Sequence, residues 1–388
     1  MTSQARRCVL IANIGSTSFK YRLFDMSGPA VLAQGRIERI GQPGGACPNY
    51  EAALDACMES IAGPGKPLAG ASELAGIGFK AVHAGPISGT RRIDDEVLAA
   101  MEEFSFLAPA HNPPYIAAMR AFRHAMPEVP LVALFETAFF DKLDEAAVTY
   151  AVPYEWKEAH GVRRYGFHGA SHRAASERAR QLCGGGDLRH ISCHLGGSSS
   201  LAAIRGGIAI DTSFGISPQS GLPQNNRVGD LDVFAALHIM EKRGLTPTQM
   251  ARTLASQAGL AGIAGGTGDV RDLADAAARG DARARLALDV FVRAVRHYLG
   301  AFLVELGGLD VLTFSGGIGE NSADVRAAVC ANLEAFGIEL DPARNADLSG
   351  EGRISCDSTP VTVLVLPADE ETVVARAVAD FLGLRAER

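Results

Sequence analysis

The chain is short of the features that mark several protein classes. It carries seven cysteines in 388 residues, at positions 8, 47, 57, 183, 193, 330 and 356, and no Cys-x-x-Cys pair. An odd, scattered set of this kind argues against a disulfide framework or a zinc ribbon and for reduced thiols. No apolar run reaches the roughly 18 residues that a membrane helix needs. The opening MTSQARRCVLIANIGS has two arginines but only a short apolar run and no cleavage site, so no secretory signal is read there. A cytoplasmic, membrane-free protein is the expectation. Basic residues number 37 against 44 acidic, a net charge of −7, with no basic arm or stripe, which excludes an ordinary nucleic-acid binder. Three nucleotide or hydrolase motifs are also missing. Gly65-Lys66 is followed by Pro67 and so is no Walker A, no G-x-G-x-x-G follows a strand, and G-x-S-x-G does not occur.

What is present is apolar material and glycine. Aliphatic and aromatic residues make up 47%, charged residues 21%, and there are 43 glycines. That suffices for large cores and, at this length, for two or three domains. No Gly/Ser or charged linker divides the chain. Strand patterns at 8–13, 19–26, 76–85 and 129–137 alternate with helical ones at 50–62, 93–109 and 111–127, the last with Pro in its first turn. From 160 the order returns in kind: YGFHGASH enters a helix, and 189–213 reads strand, Gly-Ser turn, strand, Gly206-Gly207, strand. ANIGSTSFKYRLF and CHLGGSSSLAAI share the design of an apolar strand, a Gly/Ser turn and a returning strand. The stretches 230–257 and 270–306 are helical, 310–338 is strand, Gly turn, helix, and 362–384 is strand, acidic turn, helix. Alternating strands and helices imply an α/β fold with mixed sheets, and the repeated hairpin suggests two related halves.

Candidate chemistry gathers at the turns. Four glycine turns (GST, GGSSS, GGTGD and GGIGEN) suit close approach of an anion to the backbone, the last sitting between a strand and a helix. His168 and His172 stand four apart in HGASH, but Gly169 occupies the place a zinc-type H-E-x-x-H needs for Glu. His168 is therefore a polar site residue and His172 a structural helix-cap partner. Glu136, Asp369, Glu370 and Glu371 follow strands, where ligand sites of α/β sheets collect. Carboxylates there could hold Mg²⁺. Asp369 is read as a helix cap and Glu370 as the metal residue, with Glu371 an open alternative. Arg227, in LPQNNRVGDLD, is a candidate clamp for a transferring phosphoryl group.

At these residues the chain resembles the acetate kinase family, within the superfamily of sugar kinases and actin. NIGSTSFKYRLFDM is similar to the family's N-x-G-S-[ST]-S-x-K signature. LAPAHNPP, RRYGFHGASH, CHLGG, DTSFGISPQSGL, FSGGIGENSADVR and the late P-x-[DN]-E-E resemble further family blocks in the family's order. The resemblance implies a duplicated actin-like (ribonuclease H-like) two-domain α/β fold with a central interdomain cleft and a homodimer. The first domain would span 1–139 plus 372–388 and the second, nucleotide-binding domain 140–371. It further implies ATP as co-substrate, Mg²⁺ or Mn²⁺, and reversible phosphorylation of a short carboxylate to its acyl phosphate. Asn13 and Glu370 would serve the metal. ATP would meet Lys20, His194, Leu195, Gly196, Gly197, Ser198, Asp269, Val270, Arg271, Gly317, Ile318, Gly319, Glu320 and Asn321. Small Gly317 suits a nucleotide donor. Glu136, His168 and Arg227 would act on the phosphoryl group, with His111 nearby. Lys80, Val82, Ala110, Phe167 and Pro218 would meet the acid.

Several of these positions depart from the family pattern. Lys80 stands where the family has Arg, which keeps the charge and loses the planar fork. Glu136 replaces Asp and reaches farther by one methylene. Gly197 replaces Asn in the phosphate loop, while Asn225 and Asn226 replace Gly and Thr before Arg227. Ala110 replaces Leu in the family's methyl pocket, and the lost isobutyl group opens space for a longer acid such as propionate or butyrate. Two other readings therefore stay open: a diverged member with a different acceptor, and a nucleotide-binding protein with little kinase activity.

Overall fold

The computed structural model describes residues 7–28 and 30–384; the opening residues read for a signal and the outermost ends of the expected first domain lie outside them. The chain packs as two compact units, Met1–Asp141 with Asp369–Arg388, and Lys142–Ala368.

The first unit is built on a six-stranded sheet. Its strands are β1 (Cys8–Gly15), β2 (Ser18–Asp25), β3 (Ala30–Glu38), β4 (Leu74–Ala81), β5 (Thr90–Arg92) and β6 (Leu131–Phe135), in the order β3-β2-β1-β4-β6-β5. β1 to β3 form an antiparallel meander, and β4 and β6 run parallel to β1. β6 is buried at every position and β1 at all but two, as strands covered on both faces must be. Helices Tyr50–Ile61, Asn112–Ala125 and Glu370–Phe381 pack on the sheet. The last one comes very close. A Cβ on Gly78 of β4 would lie 2.7 Å from both Ile11 and Val378, so only glycine lets this helix seat on the strand. The sequence boundary at 371/372 cuts this helix. The whole helix belongs to the first unit because Val373, Val374, Ala377 and Val378 are buried in it.

The second unit repeats the plan. Its strands are β7 (Arg189–Leu195), β8 (Ser199–Arg205), β9 (Ile208–Thr212), β10 (Val311–Ser315), β11 (Gly352–Arg353) and β12 (Thr362–Val365), ordered β11-β12-β10-β7-β8-β9. Adding six to each strand number of the first sheet and reading backwards gives this order. β7 to β9 are again an antiparallel meander, with β10 parallel to β7 and β12 parallel to β10. The repeated hairpin in the sequence is thus the start of a duplicated actin-like sheet. The 25-residue helix Ala282–Leu306 supplies Phe291, Val295, Leu299 and Phe302 to the core of this unit.

Two local expectations change. Residues 316–321 form a short helix rather than a turn, following directly on β10. β3 went unread in the sequence because its residues are mostly exposed or half-buried, so it carries no apolar stripe.

Candidate active site

In the first unit the ends of β1, β4 and β6 and the start of helix Glu370–Phe381 bring four of the named residues together. Lys80, the last but one residue of β4, sends its ammonium to Glu370 and, at 3.2 Å, to Oε1 of Glu136. Glu136 is placed by its own backbone N–H, which donates to the Ala81 carbonyl at 2.8 Å. Burial works to lower the Lys80 pKa, but the carboxylates of Glu370 and Glu136 outweigh it and hold the ammonium well above its usual value. Asn13, on β1, meets the group through Tyr115, whose hydroxyl donates to its Oδ1 at 3.3 Å and accepts the Ile14 N–H at 3.3 Å. Desolvation pushes the Tyr115 phenol up to about 12, so it stays a neutral donor. Tyr115 was missed in the sequence, although it stands one turn after His111 in HNPPY.

Glu370 and Glu371 are sorted by their partners. Glu371 faces Arg22 at 3.7 Å, while Glu370 joins Lys80. Asp369 sits at the N-cap position of the helix but its side chain accepts no capping hydrogen bond; it lies 3.8 Å from Arg22 instead. The reading of Asp369 as a cap is corrected, since its backbone at φ −112°, ψ 59° leaves the extended geometry that a capping side chain requires. Lys20 pairs with Asn13 in the β1/β2 register but its side chain is exposed. Val82 is buried and Ala110 exposed, and His111 stands at the head of helix Asn112–Ala125. That head is fixed by the buried Asn112, whose amide donates to the carbonyls of His83 at 2.7 Å and Met101 at 2.8 Å.

In the second unit the β7–β8 hairpin organises the rest. Its loop, Gly196–Ser198, abuts the start of helix Gly316–Asn321: a Cβ on Gly196 would lie 3.8 Å from the Gly317 nitrogen. Asn225 donates its backbone N–H to the Gly197 carbonyl at 3.2 Å, and its carboxamide lies against Gly197, 3.5 Å from where a Cβ would stand. Gly268 packs in turn on the Asn225 carbonyl. Three of the four glycine segments therefore converge, and the Asn225 carboxamide lies beside the bare Cα of Gly197. Glu320 accepts the backbone N–H groups of Gly316 and Ala368 at 2.9 and 3.0 Å, and Asn321 donates to the Gly317 carbonyl at 2.8 Å. Asp269 caps helix Val270–Ala278 and pairs with the exposed Arg271.

Arg227 donates to Ser198 Oγ at 3.3 Å and to Gln224 Oε1 at 3.2 Å. Gln224 is buried and donates to the Pro218 carbonyl at 2.8 Å, so it ties Arg227 to the Pro218 turn. Burial lowers the Arg227 pKa from an ordinary value so high that the guanidinium keeps its charge at neutral pH. His168 precedes helix Gly169–Leu182 with φ +59°, an uncommon left-handed conformation for a residue other than glycine. Its ring lies 4.3 Å from that of His194 and edge-on to Phe214, which also packs against Phe167. Ser200 Oγ lies 2.8 Å from its Nδ1. His172 is not a cap partner. It is fully buried in the first turn of that helix, between Ser192 and Ser200.

The chain matches the model of the acetokinase family over residues 8–376. It is 40% identical over 394 residues to an acetate kinase of Geobacillus sp. (strain WCH70), covering 97% of this chain and 99% of that one. It is 39% identical over 390 residues to the acetate kinase of Bacillus subtilis (strain 168), covering 95% and 98%. Among solved structures it superposes on acetate kinase from Porphyromonas gingivalis with a TM-score of 0.86 at 36% identity, covering 97% and 99%. A propionate kinase from Francisella tularensis gives the same TM-score of 0.86 at 30% identity, covering 96% and 98%. With the duplicated sheet, the paired carboxylates and the converging glycine segments already in place, the chain belongs to the acetokinase family.

Proposed function

We propose that this protein transfers the γ-phosphoryl group of ATP directly to a short-chain carboxylate, giving an acyl phosphate and ADP. The observation that carries this reading is the company kept by the β7–β8 hairpin. Its loop meets the 316–317 glycine segment and, through Asn225, Gly268; its Ser198 holds the charged Arg227, and its Ser200 holds His168. A carboxylic acid with pKa about 4 to 5 is already ionised at neutral pH, so it needs no general base. The obstacle is an anion approaching a polyanion, which positioning and positive charge must overcome. Arg227 supplies full charge from a desolvated position, where it is worth more than in water. His168 supplies a directed N–H. The Asn225 carboxamide and the backbone N–H groups of Gly197 and Gly317 offer donors to the nucleotide phosphates, while those of Gly196 and Gly316 are held by Ser199 and Glu320.

The donor chemistry around Lys80 suits a hard divalent cation. Asn13 offers a carbonyl oxygen and Glu370 a carboxylate, and Mg²⁺ is commonly held by one or two such groups together with substrate phosphates. Asn13 and Glu370 would hold it, and when bound it would neutralise charge on the phosphates. Lys80, shared between Glu370 and Glu136, keeps the two carboxylates from repelling each other and orients Glu370. The small, exposed Ala110 favours an acid somewhat larger than acetate.

Purified protein with MgATP, straight-chain acids from formate to hexanoate, and glycolate, with hydroxylamine to trap acyl phosphate, tests the reading. Trapped acyl phosphate should match ADP one for one, with a maximum kcat/KM at propionate or butyrate. A maximum at acetate would remove the enlarged pocket and leave the reaction. ATP-dependent thermal stabilisation with no product from any acid would replace a kinase by a nucleotide-binding protein.

A further inference from the structure

Among the described residues Arg326 is the only buried arginine, with 2% exposure. It stands one turn into helix Ala323–Cys330, which follows directly on helix Gly316–Asn321. Its Nη1 donates to the carbonyls of Gly319 and Glu320, both at 2.9 Å. Its Nε donates to Asn345 Oδ1 and its Nη2 to the Asn345 carbonyl, both at 2.8 Å. Asn345, in helix Pro342–Asp347, is also buried, and its Nδ2 donates to the Ala323 carbonyl at 2.9 Å. The Gly319 and Glu320 carbonyls lie in the last turn of the short helix, where no later N–H of that helix reaches them. One planar fork therefore caps this helix and ties it to Asn345.

The bonding leaves the charge of Arg326 unanswered. All four acceptors are neutral oxygens. Glu320, the one carboxylate of the 316–321 segment, is turned to the N–H groups of Gly316 and Ala368. Burial pushes the nearby Cys330 thiol up to about 12, so it stays neutral. Burial also lowers the Arg326 pKa, yet a guanidinium starts so high that it remains charged. A buried cation without a counter-charge is unfavourable, and a neutral carboxamide would cap a carbonyl with less penalty. A positive charge fits this place if an anion comes to the same segment. At the other end of the short helix the chain packs on the β7–β8 hairpin. A Cβ on Gly316 would lie 2.7 Å from the Leu195 carbonyl, and one on Gly196 would lie 3.8 Å from the Gly317 nitrogen. A small shift of the helix therefore moves Gly317 against that loop.

We propose that Arg326 is a positioning residue for nucleotide binding: it locks helix Gly316–Asn321 onto Asn345 and so holds Gly317 against the β7–β8 loop in the arrangement that receives the nucleotide phosphates. Arg326 acts through the backbone of 319 and 320 and not on the reacting atoms. This role rests on the proposed reading of 316–321 as a nucleotide segment; the clamp itself does not.

The test measures MgATP affinity of the full chain by titration calorimetry, beside the kinetics of acyl phosphate formation. Arg326→Gln drops the charge and the fork. It should weaken ATP binding by about 10-fold or more and raise KM for ATP in step, with KM for the acid within about twofold. Asn345→Ala removes one acceptor and keeps the bonds to 319 and 320. It should weaken ATP binding by about 2- to 5-fold, and it decides the matter where Arg326→Gln does not fold. Unchanged ATP affinity in the folded Arg326→Gln protein, or in Asn345→Ala where the first variant does not fold, would overturn the proposal and leave the kinase reading. So would KM for ATP and KM for the acid rising together, the mark of a generally loosened unit. ATP binding that depends on Arg326, with no acyl phosphate from the unaltered protein, would overturn the kinase reading and support the positioning role.

Discussion

Lys80 joins the two carboxylates of the first unit's candidate site, Glu136 and Glu370. It is mostly buried between two carboxylates, and removing it leaves them facing each other. Breaking such a pair typically costs about 3–5 kcal/mol, because the surviving charge is stranded. Lys80→Met should therefore shift the urea unfolding free energy by that order and reduce kcat at least 100-fold; a variant of unchanged stability would contradict the pairing. Ala110 is the residue-scale lever on substrate. Ala110→Leu should lower kcat/KM for butyrate relative to acetate by about 10- to 200-fold, the range expected for one methylene or slightly more in an apolar pocket. Equal ratios in both proteins would remove position 110 from the acid site. Asn225 offers a third test. Asn225→Gly should raise KM for ATP several-fold, and adding Gly197→Asn should recover most of it, since the two side chains would fill one place.

At the scale of elements, glycines hold the site, and one outside the four turns, beside the Arg227 turn, is tested by a single methyl group. Gly259, at φ +61°, packs so closely that a Cβ would lie 2.1 Å from the Gln224 carbonyl and 2.6 to 2.8 Å from backbone atoms of Arg227. Gly259→Ala must displace the 224–227 turn. It should cost a few kcal/mol in stability and lower kcat more than 10-fold, as seen by denaturation and acyl phosphate trapping. Most elements could be read beforehand because their signals were local. β1, β7 and β10 are apolar runs closed by glycine, and helix Asn112–Ala125 announces itself with proline. β3 is an edge strand without an apolar face and gave no such signal. The residues that convergence makes important were harder still. Tyr115, Gln224 and Ser200 act through partners 102, 6 and 32 residues away, and no spacing rule links such pairs. His172 was misread for a related reason. Its place four residues after His168 was visible, but its burial between two strands was not.

The whole molecule carries two buried neutral histidines in the second unit, and these give its stability a pH dependence. Desolvation takes His190 down to about 3, and His172 is also held well below the usual value. In the unfolded chain both titrate near about 6.5. Below that pH the unfolded state gains protons that the folded state refuses. Stability is therefore full above about pH 6.5 and falls on acidification, by up to about 1.4 kcal/mol per pH unit for each histidine. His190→Gln should flatten the urea stability curve between pH 6 and 5 by about that amount, and an unchanged slope would place His190 in water. At this scale the duplication was legible from one repeated hairpin, because each half must begin with the same meander. Among the described residues no helix is long and apolar enough to cross a membrane. Direct transfer to the acid requires that a carboxylate oxygen attack the γ-phosphorus. The most direct measurement supplies MgATP and an acid labelled with ¹⁸O in both carboxyl oxygens, then reads the ³¹P spectrum of the product. The product should be an acyl phosphate whose phosphorus bears one ¹⁸O from the acid. ADP formation with no ¹⁸O bonded to phosphorus would contradict it.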